Sequence, residues 1–289
     1  MITLFAPAKI NITLEVLARR PDGYHALRSV MLPIALYDRI TIERAAATHF
    51  ISNDAALLSN NLVMRAYAAS GASAGRAITL EKKIPVGGGL GGGSSDAAAI
   101  LRAAMAGDLG ARPDCDWLAA AGALGSDVPF FLVGTGALVE NYGERVTAIG
   151  TLPPWWAVVA RPHASVATGD AYRLLDASRA ADGTPSRPRN SSTSLTAVDA
   201  LQRRDFDALV TSLVNDFHDV IVPAYPPIAR ADAALRAAGG QHVLLSGSGS
   251  CLFTLFECEA DARAVAARID AGACAEVFIV ALHHDSAWR

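Results

Sequence analysis

Charge is scarce in this chain. Only 18% of its 289 residues are Asp, Glu, Lys or Arg, and the balance is -3. Bulk nucleic acid demands a basic excess, so no nucleic-acid partner is expected, although a local basic patch stays open. Cysteine is scarce too. Cys115, Cys251, Cys258 and Cys274 are scattered, with no CxxC pair. Such spacing suits neither a metal site nor a disulfide framework, and it reads as buried reduced thiols in a cytoplasmic protein. Long apolar runs are missing. Residues 117–139 carry one charge, Asp127, but Gly125, Pro129, Gly134 and Gly136 interrupt them; residues 146–160 are few and hold Pro153-Pro154. A membrane span needs ~20 continuous apolar residues, so neither qualifies. The opening MITLFAPAKINITL has no basic stretch before a long apolar run, so no secretory leader is expected. What remains is 52% hydrophobic residues, enough for a real core in one large domain or two ordinary ones.

Alternation and turn signals predict strands at 2–5, 11–17, 29–34 and 39–43, a helix at 62–69 and a strand at 77–84. Helices follow at 95–105 and 114–123, then strands at 128–133 and 137–140. Pro153-Pro154 marks an expected boundary between domains 1–153 and 154–289. Beyond it come a strand at 156–160, a helix at 169–175 and a polar, arginine-bearing surface loop at 176–194. Helices at 197–213 and 227–238 precede a strand, a Gly/Ser turn, a strand, a helix at 260–271 and a strand at 275–281. Helices alternating around antiparallel sheets give an α+β class in two domains.

One stretch demands an explanation. PVGGGLGGGSSDAAA, residues 85–99, places six glycines between a strand and a helix. A helix N-terminus offers unpaired N–H groups and partial positive charge, and glycines let a phosphate reach the backbone. Ser94 and Ser95 add hydroxyl donors. No lysine follows the glycines, so this is not a Walker A loop. The GxGxxG match at Gly87, Gly89 and Gly92 is weak, because the strand before it carries Glu81, Lys82 and Lys83 and helix follows helix, unlike a dinucleotide fold. A plain flexible loop is the remaining reading.

The stretch resembles the central phosphate loop of the GHMP kinases, which phosphorylate small metabolites with ATP. Two further family motifs stand in order, APAKINITLEV at 6–16 and LLSGSGSCLF at 244–253. RPDGYH at 20–25, GSDVPFF at 125–131 and NDF at 215–217 are similar to the branch of the family whose acceptor carries a cytidine diphosphate group. The resemblance implies an N-terminal domain of the ribosomal S5 domain 2 type, a ferredoxin-like C-terminal domain and an active site in the cleft between them. It implies transfer of the ATP γ-phosphate to an alcohol, with Mg²⁺ demanded by phosphoryl-transfer chemistry. A cytoplasmic monomer or homodimer is expected.

The resemblance assigns Lys9 and Asp127 as the catalytic pair, Asp127 taking the proton of the acceptor alcohol. Alone, Lys9 reads as an exposed strand lysine and Asp127 as a helix or turn cap. ATP binding falls to Pro85, Val86, Gly87, Gly88, Gly89, Leu90, Gly91, Gly92, Gly93, Ser94 and Ser95, with Asn61 and Lys82 beside them. Asn60 or Asn61 could instead cap the helix that follows. Ser95 is the expected Mg²⁺ ligand. Asp96, a carboxylate at the helix start, suits the helix dipole but would repel phosphates. Asn11 and Thr168 would bind the diphosphate-bearing alcohol, Thr168 possessing a second reading as the cap of its helix. Tyr24, His25 and Tyr172 would hold the base, two rings stacking on it and His25 meeting its edge. Arginines from 179 to 189 could reach a diphosphate or stay solvated. SGSGS at 246–250 lacks the spacing of a nucleophile elbow. A sibling kinase of mevalonate, homoserine or galactose, a non-catalytic nucleotide-binding module and a dinucleotide oxidoreductase are the alternatives.

Overall fold

The computed structural model describes residues 1–19, 25–59, 61–72, 75–110, 115–183 and 193–282. Its chain begins with two long paired strands, β1 (Ile2–Arg19) and β2 (His25–Arg44). The sequence breaks each of them into two shorter segments. The pairing continues because bulges absorb the irregularities, one of them between Pro7 and Ala8. Proline has no N–H to give a ladder and is tolerated at such a bulge.

Strand β3 (His49–Ser52), helix α1 (Leu62–Ala69), strand β4 (Arg76–Glu81) and helix α2 (Gly92–Met105) follow. Then come α3 (Trp117–Leu124), α4 (Val128–Val133), and the hairpin β5 (Gly136–Asn141) and β6 (Arg145–Gly150). The expectation of a strand at 128–133 is wrong: VPFFLV is a helical turn and a half. Pro129 in its first turn pre-sets the helical φ, and Gly134 in the left-handed region ends it. Those two signals outweigh the strand preference of Val and Phe.

The later half runs β7 (Trp156–Arg161), α5 (Thr168–Asp182), α6 (Thr193–Arg203), α7 (Phe206–Thr211) and β8 (Val214–Asn215). It ends with α8 (His218–Ala224), α9 (Pro226–Ala237), β9 (Leu244–Leu245), β10 (Leu252–Phe256), α10 (Glu259–Ala266) and β11 (Glu276–Ala281). The expected surface loop at 176–194 is therefore helical as far as Asp182, and Gly183 in the left-handed region closes that helix. Arg187 and Arg189 lie outside the described residues.

Two sheets result. The larger has the path β3-β4-β2-β1-β8, with β5 on β2 and β6 on β5; the smaller is β11-β7-β10-β9. Helices α1 to α4 cover one face of the larger sheet, where Ile40, Ile78 and Leu80 meet the alanines of α2. Its other face, with Ile10, Ile12 and Leu32, packs on Ala157, Val159 and Phe253 of the smaller sheet. The alternate residues of β7, Val158 and Ala160, face α5, α8, α9 and α10 on the far side. One strand crosses the expected boundary. β8 comes from the later half and pairs in parallel with β1, Thr13 opposite Val214 and Leu14 opposite Asn215. Among the described residues no helix is long and apolar enough to cross a membrane. The thiols are free, but Cys258 is exposed and Cys115 half-buried, so only Cys251 and Cys274 fit the expected burial.

Candidate active site

The glycine loop joins β4 to α2. Gly87, Gly89 and Gly91 all take positive φ, which L side chains rarely adopt. Space decides as strictly as φ. A Cβ on Gly89 would stand 2.0 Å from the Ser246 carbonyl oxygen, and one on Gly88 would stand 2.6 Å from Cys251 Sγ. The loop thus interlocks with the second Gly/Ser turn. Ser246 Oγ donates to the Gly89 carbonyl at 3.0 Å, the Cys251 N–H to the Gly88 carbonyl at 3.0 Å, and the Lys9 N–H to the Leu90 carbonyl at 2.9 Å.

Asn215 explains the NDF motif. Its Nδ2 donates to the carbonyls of Leu245 and Gly247 at 2.7 and 2.8 Å, holding the second turn against β1. Next to it Asp216 accepts from the Val16 N–H and from Arg179 Nη2, both at 2.8 Å. Arg179 is committed there rather than in a solvated run.

Two cavities meet at the loop. One, of about 340 Å³, is lined by Leu57, Asn61, Leu62, Val63, Leu80, Lys82, Asp96 and residues 85–94. The other, of about 190 Å³, gathers Lys9, Asn11, Ser126, Asp127, Thr168, Tyr172, Phe217, Gly247 and Ser248 around Gly89 and Gly91. Gly89 and Gly91 line both.

In the smaller cavity Lys9, on β1, is 3% exposed, and its Nζ lies 3.7 Å from Asp127 Oδ2 and 2.5 Å from Asn11 Oδ1. Burial pulls the Lys9 ammonium below its ordinary range, and Asp127 opposes that pull. Asp127 stands at the start of α4 but its carboxylate makes no capping bond to that helix. It faces Lys9 instead. Asn11 is fully buried, its Nδ2 donating to Ser29 Oγ at 2.8 Å.

Helix α5 brings Thr168 and Tyr172 to the same cavity. Thr168 is the first residue of the helix and not its cap, a position taken by Ala167. Its hydroxyl is shared with Ser248 at 3.2 Å. The Tyr172 ring stacks on His25 with centroids 5.6 Å apart and 16° between planes, and meets Phe217 edge-on at 5.0 Å. His25 Nε2 lies 2.9 Å from Asp176 Oδ1. Tyr24 is outside the described residues, as is Asn60.

In the larger cavity Asn61 caps α1, accepting from the Met64 N–H at 2.8 Å, and still lines the wall. Lys82 is buried with its ammonium on two carboxylates, Asp38 and Asp96, the latter at 2.9 Å. Burial pulls Lys82 down, but those carboxylates outweigh it and hold the ammonium above its ordinary range. Burial drives Asp96 the other way, up to about 8, with Lys82 restraining the rise. The Lys82 ammonium 2.9 Å away offsets the charge by which Asp96 would repel phosphates. Ser95 Oγ is buried and has no hydrogen-bond partner among the described residues. Asp38 was not legible in the sequence: it sits in a strand outside every motif. Asp176 was missed for the same reason, while Ser248 lies in the SGSGS motif without being read there as a site residue; packing brings both to the site.

The chain is similar to known proteins. Residues 60–135 match the GHMP kinases N terminal domain and residues 197–274 the GHMP kinases C terminal domain. A 4-diphosphocytidyl-2-C-methyl-D-erythritol kinase of Symbiobacterium thermophilum is 42% identical, over 84% of this chain and 86% of the relative. One of Exiguobacterium sibiricum is 36% identical over 97% of this chain and 98% of the relative. A crystal structure of 4-(cytidine 5'-diphospho)-2C-methyl-D-erythritol kinase superposes with a TM-score of 0.80 at 35% identity, covering 98% of this chain and all of that one. A homoserine kinase of Cytophaga hutchinsonii shares the fold, with a TM-score of 0.70 at 20% identity over 98% and 95% of the two chains. With relatives this similar over nearly its whole length, the chain belongs to the GHMP kinase family.

Proposed function

We propose that this chain is an ATP-dependent kinase that phosphorylates the 2-hydroxyl of 4-diphosphocytidyl-2-C-methyl-D-erythritol, a step of the non-mevalonate route to isoprenoid precursors. The observation that carries the reading is the shared wall. A phosphoryl group must pass from a nucleotide site to an alcohol site, and Gly89 and Gly91 belong to both cavities. The relatives' names supply the acceptor.

In this reading residues 85–95, Asn61 and Lys82 form the nucleotide site. Backbone N–H groups of the loop and the start of α2 meet the triphosphate. Asp127 Oδ2 accepts the proton of the acceptor hydroxyl as its oxygen bonds to the γ-phosphorus; the bond to the β–γ bridging oxygen breaks, and ADP leaves. Lys9, 3.7 Å from that carboxylate, orients it and offsets the charge that develops on the transferring group. Asn11 and Thr168 hold the diphosphate-bearing alcohol, and Tyr24, His25 and Tyr172 hold the cytosine. The orphaned, buried Ser95 Oγ of α2 is a hard oxygen, which fits Mg²⁺. Bound with ATP, Mg²⁺ would neutralise phosphate charge during transfer. The reading sets the protein in the cytoplasm.

The test is ADP release from MgATP with this acceptor, mevalonate, homoserine, galactose or none. Turnover confined to the cytidylated alcohol is expected. Turnover with another alcohol would move the chain to a sibling activity, and no turnover despite ATP binding would leave a binding module.

A further inference from the structure

The glycine loop has a problem of its own. Three of its residues sit at positive φ, and glycines lose more freedom on ordering than any other residue. Its middle is held by Ser246, Cys251 and Lys9, and its two roots must be held as well. Among the described residues, both roots are tied by one cluster of side chains. Ahead of the loop, Asp38 Oδ1 accepts the N–H groups of Lys83 and Ile84 at 2.6 and 2.9 Å. Its other oxygen takes the Lys82 ammonium. Behind the loop, the same ammonium donates to Asp96 Oδ2 at 2.9 Å, in the second turn of α2. The three side chains are 0%, 7% and 3% exposed. Gly92 makes the fit possible, because a Cβ there would stand 3.0 Å from Lys82 Nζ.

We propose that Asp38, Lys82 and Asp96 form a positioning triad that sets the shape of the glycine loop for the triphosphate, Lys82 acting through the two carboxylates. The triad spans β2, the end of β4 and α2, so one ammonium fixes the distance between the strand that enters the loop and the helix that leaves it. Stability alone does not explain it. Buried ion clusters are often replaced by apolar groups without loss of stability, since desolvation cancels much of the attraction. An apolar trio cannot hold two successive N–H groups and a helix start in one register. The inference rests on the kinase reading above, in which residues 85–95 bind ATP.

The experiment is steady-state kinetics on the full chain, varying MgATP and the cytidylated acceptor separately, together with Tm. Two variants are compared, Asp38→Asn and the double variant Lys82→Met/Asp96→Leu. The double variant removes the ammonium and one carboxylate together, so fewer charges are stranded. Expected is a rise in KM for ATP of at least tenfold in both, with KM for the acceptor within threefold. The double variant should keep a Tm within a few degrees of the wild type. A double variant with wild-type Tm and wild-type KM for ATP overturns the proposal. If the double variant does not fold, Asp38→Asn decides alone: an unchanged KM for ATP, or equal rises in both KM values, overturns it. Absence of turnover in the wild type overturns the kinase reading instead, so the two failures are distinguishable.

Discussion

Replacing Gly89 by alanine tests the interlock of the two glycine turns, and its cost follows from geometry. Gly89 has φ +74°, and an L residue in the left-handed region costs roughly 1–2 kcal/mol. The new methyl would then stand 2.0 Å from the Ser246 carbonyl oxygen and 2.9 Å from that of Gly249. Both are backbone atoms, so no rotamer change relieves the contact, and the turns must part by about 1 Å to reach ordinary separation. Parting stretches the bond from Ser246 Oγ to the Gly89 carbonyl, a loss of about 1 kcal/mol. The expected destabilisation is about 2–4 kcal/mol, which at this chain length lowers Tm by roughly 3–7 °C. A displacement of that size beside the reacting atoms costs about 10²-fold in rate. Thermal melts and kcat/KM with the cytidylated acceptor read both. Gly93→Ala is the control. Its Cβ would meet Leu62 Cδ1 at an ordinary 3.7 Å within α2, and helical Gly→Ala gains about 1 kcal/mol, so Tm should rise. Gly89→Ala with an unchanged Tm and kcat/KM within threefold of wild type would refute the reasoning.

Asp127→Asn should lower kcat by roughly 10²–10⁴-fold with little change in either KM, and a loss below tenfold in rapid-quench or steady-state assays removes Asp127 as the base. Tyr172→Ala should raise KM for the cytidylated acceptor by about 5–150-fold, the equivalent of ~1–3 kcal/mol of stacking, while Tyr172→Phe stays within a few-fold. Equal effects of the two variants would place the hydroxyl, not the ring, in the role. The last prediction concerns acid. Burial lowers the His218 pKa below 6.5, with Asp232 opposing, and its Nδ1 accepts the Leu245 N–H at 3.2 Å. The folded state then binds fewer protons than the unfolded one, so the contribution is intact above about 6.5 and is lost as pH falls below it. Melts between pH 8 and 5 should show a steeper fall in Tm for the wild type than for His218→Gln, and parallel curves would contradict the assignment.

Much of this architecture is legible from local chemistry. The helix at 62–69 appears where the sequence sets it, because Asn61 caps it and Val63, Ala66 and Tyr67 make its buried stripe. Lys9 and Asp127 are legible only through their motifs. Alone they read as surface groups, and it is the sheet that buries Lys9 and the start of α4 that aims Asp127. The misreadings have physical causes. VPFFLV has strand-forming residues inside helix punctuation, and here the punctuation wins. The two halves of β1 look separate because a proline bulge hides the continuity of its ladder. Asp38 carries no local signal at all. Its role exists only once β2 and β4 pair, with Arg39 opposite Glu81, and set the carboxylate under the chain that leaves β4.

The parallel bridge from β1 to β8 has a consequence during synthesis. Val16 and Asp216 are 200 residues apart, so at ~5–20 residues per second the first strand waits roughly 10–40 s for its outer neighbour. Through that interval the ribosome-bound chain carries a bare strand edge, the kind of surface that recruits wrong partners. Glu15 lies within that stretch. In the finished molecule its carboxylate is fully buried and receives the hydroxyl of Ser194 at 2.6 Å. In the nascent chain it is a charge planted on an unclaimed edge, which discourages a second chain from docking there until the residues that belong to it emerge.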